Sequence, residues 1–433
     1  MPIICPECNQ KYNYIWCKPC NSTRFKNDFD KWTSGNDTID KFIQDTQLNA
    51  DYYELIEWIP YDRFKDIKQI AKGGFGTIYY AKWVDGWIQC WDIENQQWER
   101  EGQFEVAFKK FDSIVDIKNT NEKFLNEMAI HMRTNDGSTS VRIYGITKDP
   151  ETPEYMMVLQ YFKGGSLRNY LNNNFSGISW RRKLYYIKIL AYKFSEIHKL
   201  DIVHRDFHPG NILKYNSSSH SIGITDFGLS KLITENIKNP NPQKNIISGV
   251  LPYIAPEVLG GEEYAKAADV YSFAFVAYEI ITGIPPYHDV SHDKYLAFKI
   301  CKGLRPKIPS HTPKLITQII MRCWDARTTH RPTFKELREE LDKYYSNYKN
   351  DSGEITIQIK KAENFSKNQT TTDTTTTTPA NYKTHPQAIY VSRLLDFSNL
   401  PKPKNEENFE KKLEELTKSF YKINDSDDDD LIL

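Results

Sequence analysis

The stretch from Ile202 to Gly228 constrains this chain more than any other. It opens as IVHRDFHPGNIL, with Asp206 and Asn211 five residues apart after one short apolar strand and beside another. It closes on Thr225-Asp226-Phe227-Gly228, again at a strand end. An aspartate held this way can accept the proton of an attacking hydroxyl. An asparagine oxygen can bind a hard cation such as Mg²⁺, and Asp226 can bridge such a cation to phosphates. Each residue alone is also a turn former; the ordered set is what carries chemistry.

Upstream, the pattern predicts strands at 67–71, 77–84, 104–110, 141–146 and 155–161, with a helix at 119–134 between them. Downstream it predicts helices at 166–174, 181–199, 267–282, 293–302, 313–324 and 333–345, and short strands at 202–204, 211–215 and 222–225. Ser179 is a candidate N-cap, and the almost wholly apolar helix 267–282 ends at Gly283. The expected fold class is α+β: a small sheet lobe followed by a larger helical one. Between two strands lies IAKGGFGTIY, whose Gly73, Gly74 and Gly76 let backbone approach phosphates. The strand VAFKKF carries Lys109, which can hold phosphates if an acid positions it, and Glu127 on the following helix is that acid.

The series of glycine loop, VAFK, helix glutamate, HRDFHPGN, DFG and APE (255–257) resembles a eukaryotic protein kinase in order and spacing. The segments MRCWDARTTHRPTFKEL and GGSLRNYL are similar to those of tyrosine kinases and tyrosine-kinase-like serine/threonine kinases, and the whole resembles the tyrosine-kinase-like kind expanded in some fungi. The resemblance implies a bilobal kinase fold and phosphoryl transfer from ATP, with Mg²⁺ (or Mn²⁺). It implies Asp206 as catalytic base, Lys109 on the α/β-phosphates paired with Glu127, and Asn211 and Asp226 as Mg²⁺ ligands. Ile70, Ala71, Gly73, Gly74, Phe75, Gly76 and Ile78 would cover the nucleotide. Leu159 would be the gatekeeper, and Gln160, Tyr161 and Phe162 the adenine-binding hinge. Glu257 would pair with Arg331, and Asp269 would brace the catalytic loop.

Three positions depart from the family pattern. Ala71 replaces the first glycine of the loop, a small change. His208 stands where serine/threonine kinases carry lysine, and Gly249-Val250 stands where they carry Gly-Thr. The Ala-Ala-Arg and Arg-Ala-Ala loops of tyrosine kinases are absent too. Ser/Thr specificity is therefore the expectation, with dual or Tyr specificity and a pseudokinase scaffold as the alternatives. His208 can still donate a hydrogen bond to the γ-phosphate. Arg205 can pair with a phosphate on the activation segment, where Ser230, Thr234 and Ser248 are the candidates.

The rest of the chain sorts by composition. Cys5, Cys8, Cys17 and Cys20 form two CxxC pairs separated by eight residues, a donor set for tetrahedral Zn²⁺; free thiols and an iron site are the alternatives. The expected organisation is a zinc knuckle at residues 1–24, a helical or irregular connector at 25–61, the kinase domain at 62–345 and a largely disordered tail at 346–433. The tail holds a Thr run at 370–380 and an acidic end. Its segments 389–400 and 406–423 are apolar enough to order on a partner, the second with Phe409, Leu413, Leu416 and Phe420 at helical spacing. The insertion at 83–104 carries four tryptophans, for packing on the small lobe or for docking. Its single Arg100 argues against nucleic-acid stacking.

Lys plus Arg equals Asp plus Glu at 57 each, so no overall charge draws the chain to nucleic acid or anionic membranes. The start lacks a signal-peptide pattern, and no run approaches the ~18 apolar residues of a membrane span. A soluble, cytoplasmic protein acting on protein substrates is expected, with further protein partners at the knuckle or tail.

Overall fold

The computed structural model describes residues 3–12, 16–74, 76–111, 120–135, 137–152, 154–233, 246–369, 382–397 and 399–424. The chain forms two compact units, one of Met1–Lys163 with Gly223–Gly228 and one of Gly164–Ile222 with Leu229–Leu433.

The first unit starts with β1 (Ile3–Ile4) paired to β2 (Lys11–Tyr12), then α1 (Lys18–Lys26) and α2 (Asp37–Asn49). Helix α2 begins where the Asn36 side chain accepts the N–H groups of Thr38 and Ile39, with Asp37 and Asp40 at its positive end. Then come β3 (Glu57–Trp58), β4 (Phe64–Lys72), β5 (Thr77–Trp83), β6 (Ile88–Asp92), β7 (Gln97–Arg100), β8 (Phe104–Lys110), α3 (Thr120–Arg133), β9 (Ile143–Lys148) and β10 (Tyr155–Gln160). Six of the strands make one sheet in the order β3-β9-β10-β8-β5-β4. Its core is Phe64, Trp83, Val106, Phe108, Met156 and Val158.

Five of these strands lie where the apolar pattern puts them. The sixth, β3, falls inside the 25–61 connector and is too short to show a period. It pairs parallel to β9, and a side chain on Gly145 would come within 2.1 Å of the Glu57 carbonyl oxygen, so glycine is required there.

The second unit runs α4 (Leu167–Asn174), α5 (Trp180–Lys199), β11 (Ile202–Val203), β12 (Ile212–Lys214) and, across the boundary, β13 (Ile222–Ile224). It continues through β14 (Lys231–Leu232), β15 (Ile246–Gly249), α6 (Lys266–Thr282), α7 (Lys294–Cys301), α8 (Lys314–Cys323) and α9 (Phe334–Lys349). Every residue of α6 from Ala268 to Thr282 is buried, which is why its sequence shows no polar face. Gly283 ends it at φ +71°, and a Cβ there would lie 2.5 Å from the Phe175 ring. Ser179 occupies the N-cap position of α5, but its hydroxyl makes no capping bond.

The tail differs from the expected disorder wherever it is described. Helix α10 (Gly353–Gln369) buries Ile355, Ile359 and Ala362, and Gln358 accepts from the Leu315 N–H. Strand β16 (Arg393–Asp396) and α11 (Phe409–Asn424) follow; Phe409 is buried and Thr417 bonds Gln318. The two apolar segments thus order on this chain's own helical unit. The Thr run at 370–380 and the acidic residues 425–433 lie outside the described residues.

Candidate active site

In the sheet unit, register aligns the phosphate-handling candidates. Lys109 on β8 stands opposite Ile78 on β5 and Met157 on β10. Its ammonium lies 2.6 Å from Glu127 Oε1 and 2.7 Å from Asp226 Oδ1. Burial opposes the charge on Lys109, yet the two carboxylates outweigh it and hold its pKa above the ordinary value. Burial pushes Glu127 up to about 7, against the pull of Lys109 and with help from Asp226. Asp226 holds a positive φ of 67°, and the next side chain, Phe227, is fully buried with its ring 4.9 Å from that of His131.

Ile70 and Ala71 sit on β4, and the Gly73 N–H bonds the Gly76 carbonyl to close the loop at 2.8 Å. A Cβ on Gly76 would meet the Lys110 carbonyl at 2.5 Å, so the approach of loop to strand needs glycine here. Gly74 lies in the same bend, and Phe75 is outside the described residues. Leu159 and Gln160 end β10, with Leu159 buried opposite Ala107. Tyr161 and Phe162 follow, the Tyr161 ring 5.0 Å from Tyr80.

The helical unit holds the acid-base candidates. The Asp269 carboxylate at the start of α6 accepts the N–H groups of His204 (2.9 Å) and Arg205 (3.1 Å), His198 Nε2 (2.9 Å) and the Tyr264 hydroxyl (3.0 Å). Burial works against the charge of Asp269, but His198 and the His204 N–H hold its pKa below the usual range. This anchor fixes the loop that presents Asp206. Asn211 Nδ2 donates to the Asp206 carbonyl (3.0 Å) and to Oδ2 (3.2 Å), leaving the amide oxygen for a cation. His208 Nδ1 accepts the Gly210 N–H at 3.0 Å, which places the imidazole proton on Nε2, 3.7 Å from Asp206 Oδ2. Gly210 allows this, because a Cβ there would sit 2.6 Å from the His208 ring.

Glu257 and Arg331 form a buried two-pronged pair at 2.6 and 2.8 Å. Arg205 takes no carboxylate partner in an ion pair among the described residues, and burial lowers its pKa. Ser230 is buried with its hydroxyl on the His204 carbonyl, Ser248 lies on β15, and Thr234 is outside the described residues.

Two residues at this site escape the sequence patterns. Arg168 on α4 is half-buried, bonded to Glu279 (3.1 Å) and to the Tyr253 hydroxyl (2.8 Å). Ser392, which precedes β16, donates from Oγ to Asp206 Oδ2 at 2.5 Å. Arg168 sits in the quoted GGSLRNYL run, but no period marks it. Ser392 is one of three polar residues, with Arg393 and Asp396, in the apolar-rich run IYVSRLLDF.

At the N-terminus, Cys5 and Cys20 sulfurs lie 3.8 Å apart and Cys8 and Cys17 sulfurs 3.5 Å, with all four within 4.8 Å of one another. A tetrahedron with Zn–S of ~2.3 Å separates its sulfurs by ~3.8 Å, so the donor set fits that ion. The module is held by a cluster of Trp16, Phe25, Ala50, Leu55 and Ile88, with Trp98 of the β6–β7 hairpin stacked 4.6 Å from Phe25 at 14°. The tryptophan insertion thus packs on the cysteine module.

A buried lysine tied to a helix glutamate, and an Asp–Asn pair braced from beneath, are the parts an enzyme needs to bind a triphosphate and deprotonate a hydroxyl. A family model for protein tyrosine and serine/threonine kinases matches residues 64–341, and the chain belongs to that family. It is 30% identical over 286 residues to serine/threonine-protein kinase VIK of Arabidopsis thaliana, spanning 65% of this chain and 60% of that protein. It is 29% identical over 290 residues to a putative serine/threonine-protein kinase/receptor, R831, of Acanthamoeba polyphaga mimivirus, spanning 66% and 16%. It is 28% identical over 296 residues to the probable serine/threonine-protein kinase roco5 of Dictyostelium discoideum, spanning 65% and 10%. The chain therefore spans less than two thirds of each of these relatives. Among the described residues no helix is long and apolar enough to cross a membrane.

Proposed function

We propose that this protein is an active serine/threonine protein kinase that moves the γ-phosphoryl group of ATP to a Ser or Thr hydroxyl of a protein substrate. One observation carries the reading: a serine hydroxyl already donates to Asp206 Oδ2, in a loop held by the bond of the His204 N–H to Asp269 and of Asn211 Nδ2 to the Asp206 carbonyl. Asp206 orients the acceptor hydroxyl and takes its proton. His208 replaces the usual lysine and donates from Nε2 toward the same oxygen. Lys109, held by Glu127, binds the α/β-phosphates under the glycine loop, and the Leu159–Phe162 segment receives adenine. Asn211 and Asp226 would hold Mg²⁺, which neutralises charge on the phosphates when bound. The filled Lys109, Glu127, Asp206, Asn211 and Asp226 positions disfavour a pseudokinase.

The sulfur spacing supports a structural Zn²⁺ at Cys5, Cys8, Cys17 and Cys20, closing the site to chemistry and leaving its surface for a protein partner. Arg205 is the cation for an activation-segment phosphate, with the half-buried Ser248 the more accessible candidate among the described residues. All seven cysteines are free, which supports a reducing, cytoplasmic location.

The test is transfer from labelled ATP to casein with phosphoamino-acid analysis. Asp206→Asn is expected to lose on the order of 10²–10⁴-fold in rate, with label on serine or threonine in the wild type. Equal signal from variant and wild type removes Asp206 as base, and label on tyrosine replaces the Ser/Thr reading by a dual one.

A further inference from the structure

We propose that residues 385–396 are a tethered substrate of this same kinase, with Ser392 as its phosphoacceptor, and that the segment blocks the acceptor site until it is modified. This rests on the kinase reading above.

The chain returns to the helical unit after the Thr-rich run and is fixed at many points. The His385 N–H bonds the His288 carbonyl at 2.7 Å, and the His292 N–H bonds the Gln387 carbonyl at 3.0 Å. Tyr390 donates to the Pro286 carbonyl (2.8 Å), and its own carbonyl accepts from Arg168 Nη1 (3.1 Å). Arg168 is rigid there because Glu279 and Tyr253 hold its other nitrogens. Beyond Ser392, β16 pairs antiparallel with β15 of the activation segment: Arg393 with Gly249, Ser248 with Leu394, Ile247 with Leu395 and Ile246 with Asp396. Pairing to a strand edge fixes an extended peptide by its backbone and leaves alternate side chains to choose the register.

That register brings serine to the base. Val391 and Leu394 are 52% and 61% exposed, whereas Ser392 and Leu395 are 8% and 4% exposed. A slip of one residue would present Val391 or Arg393 to Asp206 and expose Leu395. The Ser392 hydroxyl donates to Asp206 Oδ2 at 2.5 Å and lies 3.3 Å from His208 Nε2, which carries the ring proton. In the step that follows, Ser392 Oγ forms a bond to the γ-phosphorus of ATP. The bond from that phosphorus to the β,γ-bridging oxygen breaks, its electron pair leaves with ADP, and the hydroxyl proton passes to Asp206. The product phosphoserine carries about −1.5 to −2 charge beside the Asp206 carboxylate, so the segment is repelled and the acceptor site opens. A charged group needs water or cations around it, and Ser392 is 8% exposed in the docked state.

The experiment uses the full chain with MgATP, following Ser392 by mass spectrometry and casein phosphorylation in parallel. The expected result is modification of Ser392 at a rate independent of protein concentration, and a lag in casein phosphorylation that ends as Ser392 fills. Leu395→Asp, which undocks the strand, should abolish the lag and lower the apparent KM for casein roughly 10-fold, because the open fraction rises. Ser392→Ala, which keeps the strand but not the acceptor, should hold casein phosphorylation at its lag-phase rate throughout. Casein phosphorylation with Ser392 unmodified overturns the proposal while leaving the kinase reading intact. A Ser392 rate that scales with protein concentration overturns the tethered step. Transfer to neither acceptor overturns the kinase reading and this one with it.

Discussion

Buried charges at single positions separate structure from chemistry. Arg331 and Glu257 sit in the helical unit with both prongs of the guanidinium satisfied. Arg331→Ala leaves a buried carboxylate unpaired, and about 3–5 kcal/mol of stability should be lost in urea unfolding. Lys183 on α5 is the opposite case: among the described residues no carboxylate forms an ion pair with it, its ammonium bonds the Ile281 carbonyl at 3.1 Å and lies 3.9 Å from the Phe175 ring centre. Burial pulls its pKa down to about 8 from 10.5. A lysine whose folded pKa is depressed contributes its stability above the unfolded value, and that stability is lost as pH falls through the folded one. Wild type should therefore gain on the order of 1–3 kcal/mol over Lys183→Met between pH 7 and pH 10.5, read from unfolding at each pH. Neither residue role is visible in composition: the HRPTF resemblance pointed to Arg331, whereas Lys183 looks like any lysine of an amphipathic helix.

At the scale of elements, the strands and long helices were legible because their apolar periods are unbroken. What escaped were short elements whose partner is distant in sequence. Strand β3 has two residues and exists because β9 offers an edge beside Gly145. Strand β16 exists because β15 lies beside it. The β6–β7 hairpin shows the same dependence: four tryptophans predicted packing, but only the fold reveals that Trp98 stacks on Phe25 and Trp16 and that Arg24 covers Trp91 at 4.3 Å. Trp98→Ala removes a half-buried aromatic from that stack and should cost about 2 kcal/mol in urea unfolding.

For the whole molecule, the cysteine module is joined to the sheet unit through that stack, so a metal held there would be coupled to the fold. Chelation under reducing conditions should release about one Zn²⁺ per chain and lower the melting temperature. Hydrogen exchange should then lose protection in α1 and the β6–β7 hairpin, with α5 and α6 unchanged. Loss of protection across the entire chain, or no bound metal at all, would separate the module from this account.

By itself the sequence determined the family and the lobe order and named the candidate residues for phosphoryl transfer, because those are carried by local motifs whose spacing is set by strands and turns a few residues long. Tertiary structure alone decided what stands beside Asp206. Ser392 lies 186 residues from Asp206 along the chain, and nothing in either segment names the other. Their contact follows from backbone pairing of β16 with β15 and from the bond of Arg168 to the Tyr390 carbonyl, contacts between segments far apart in the chain.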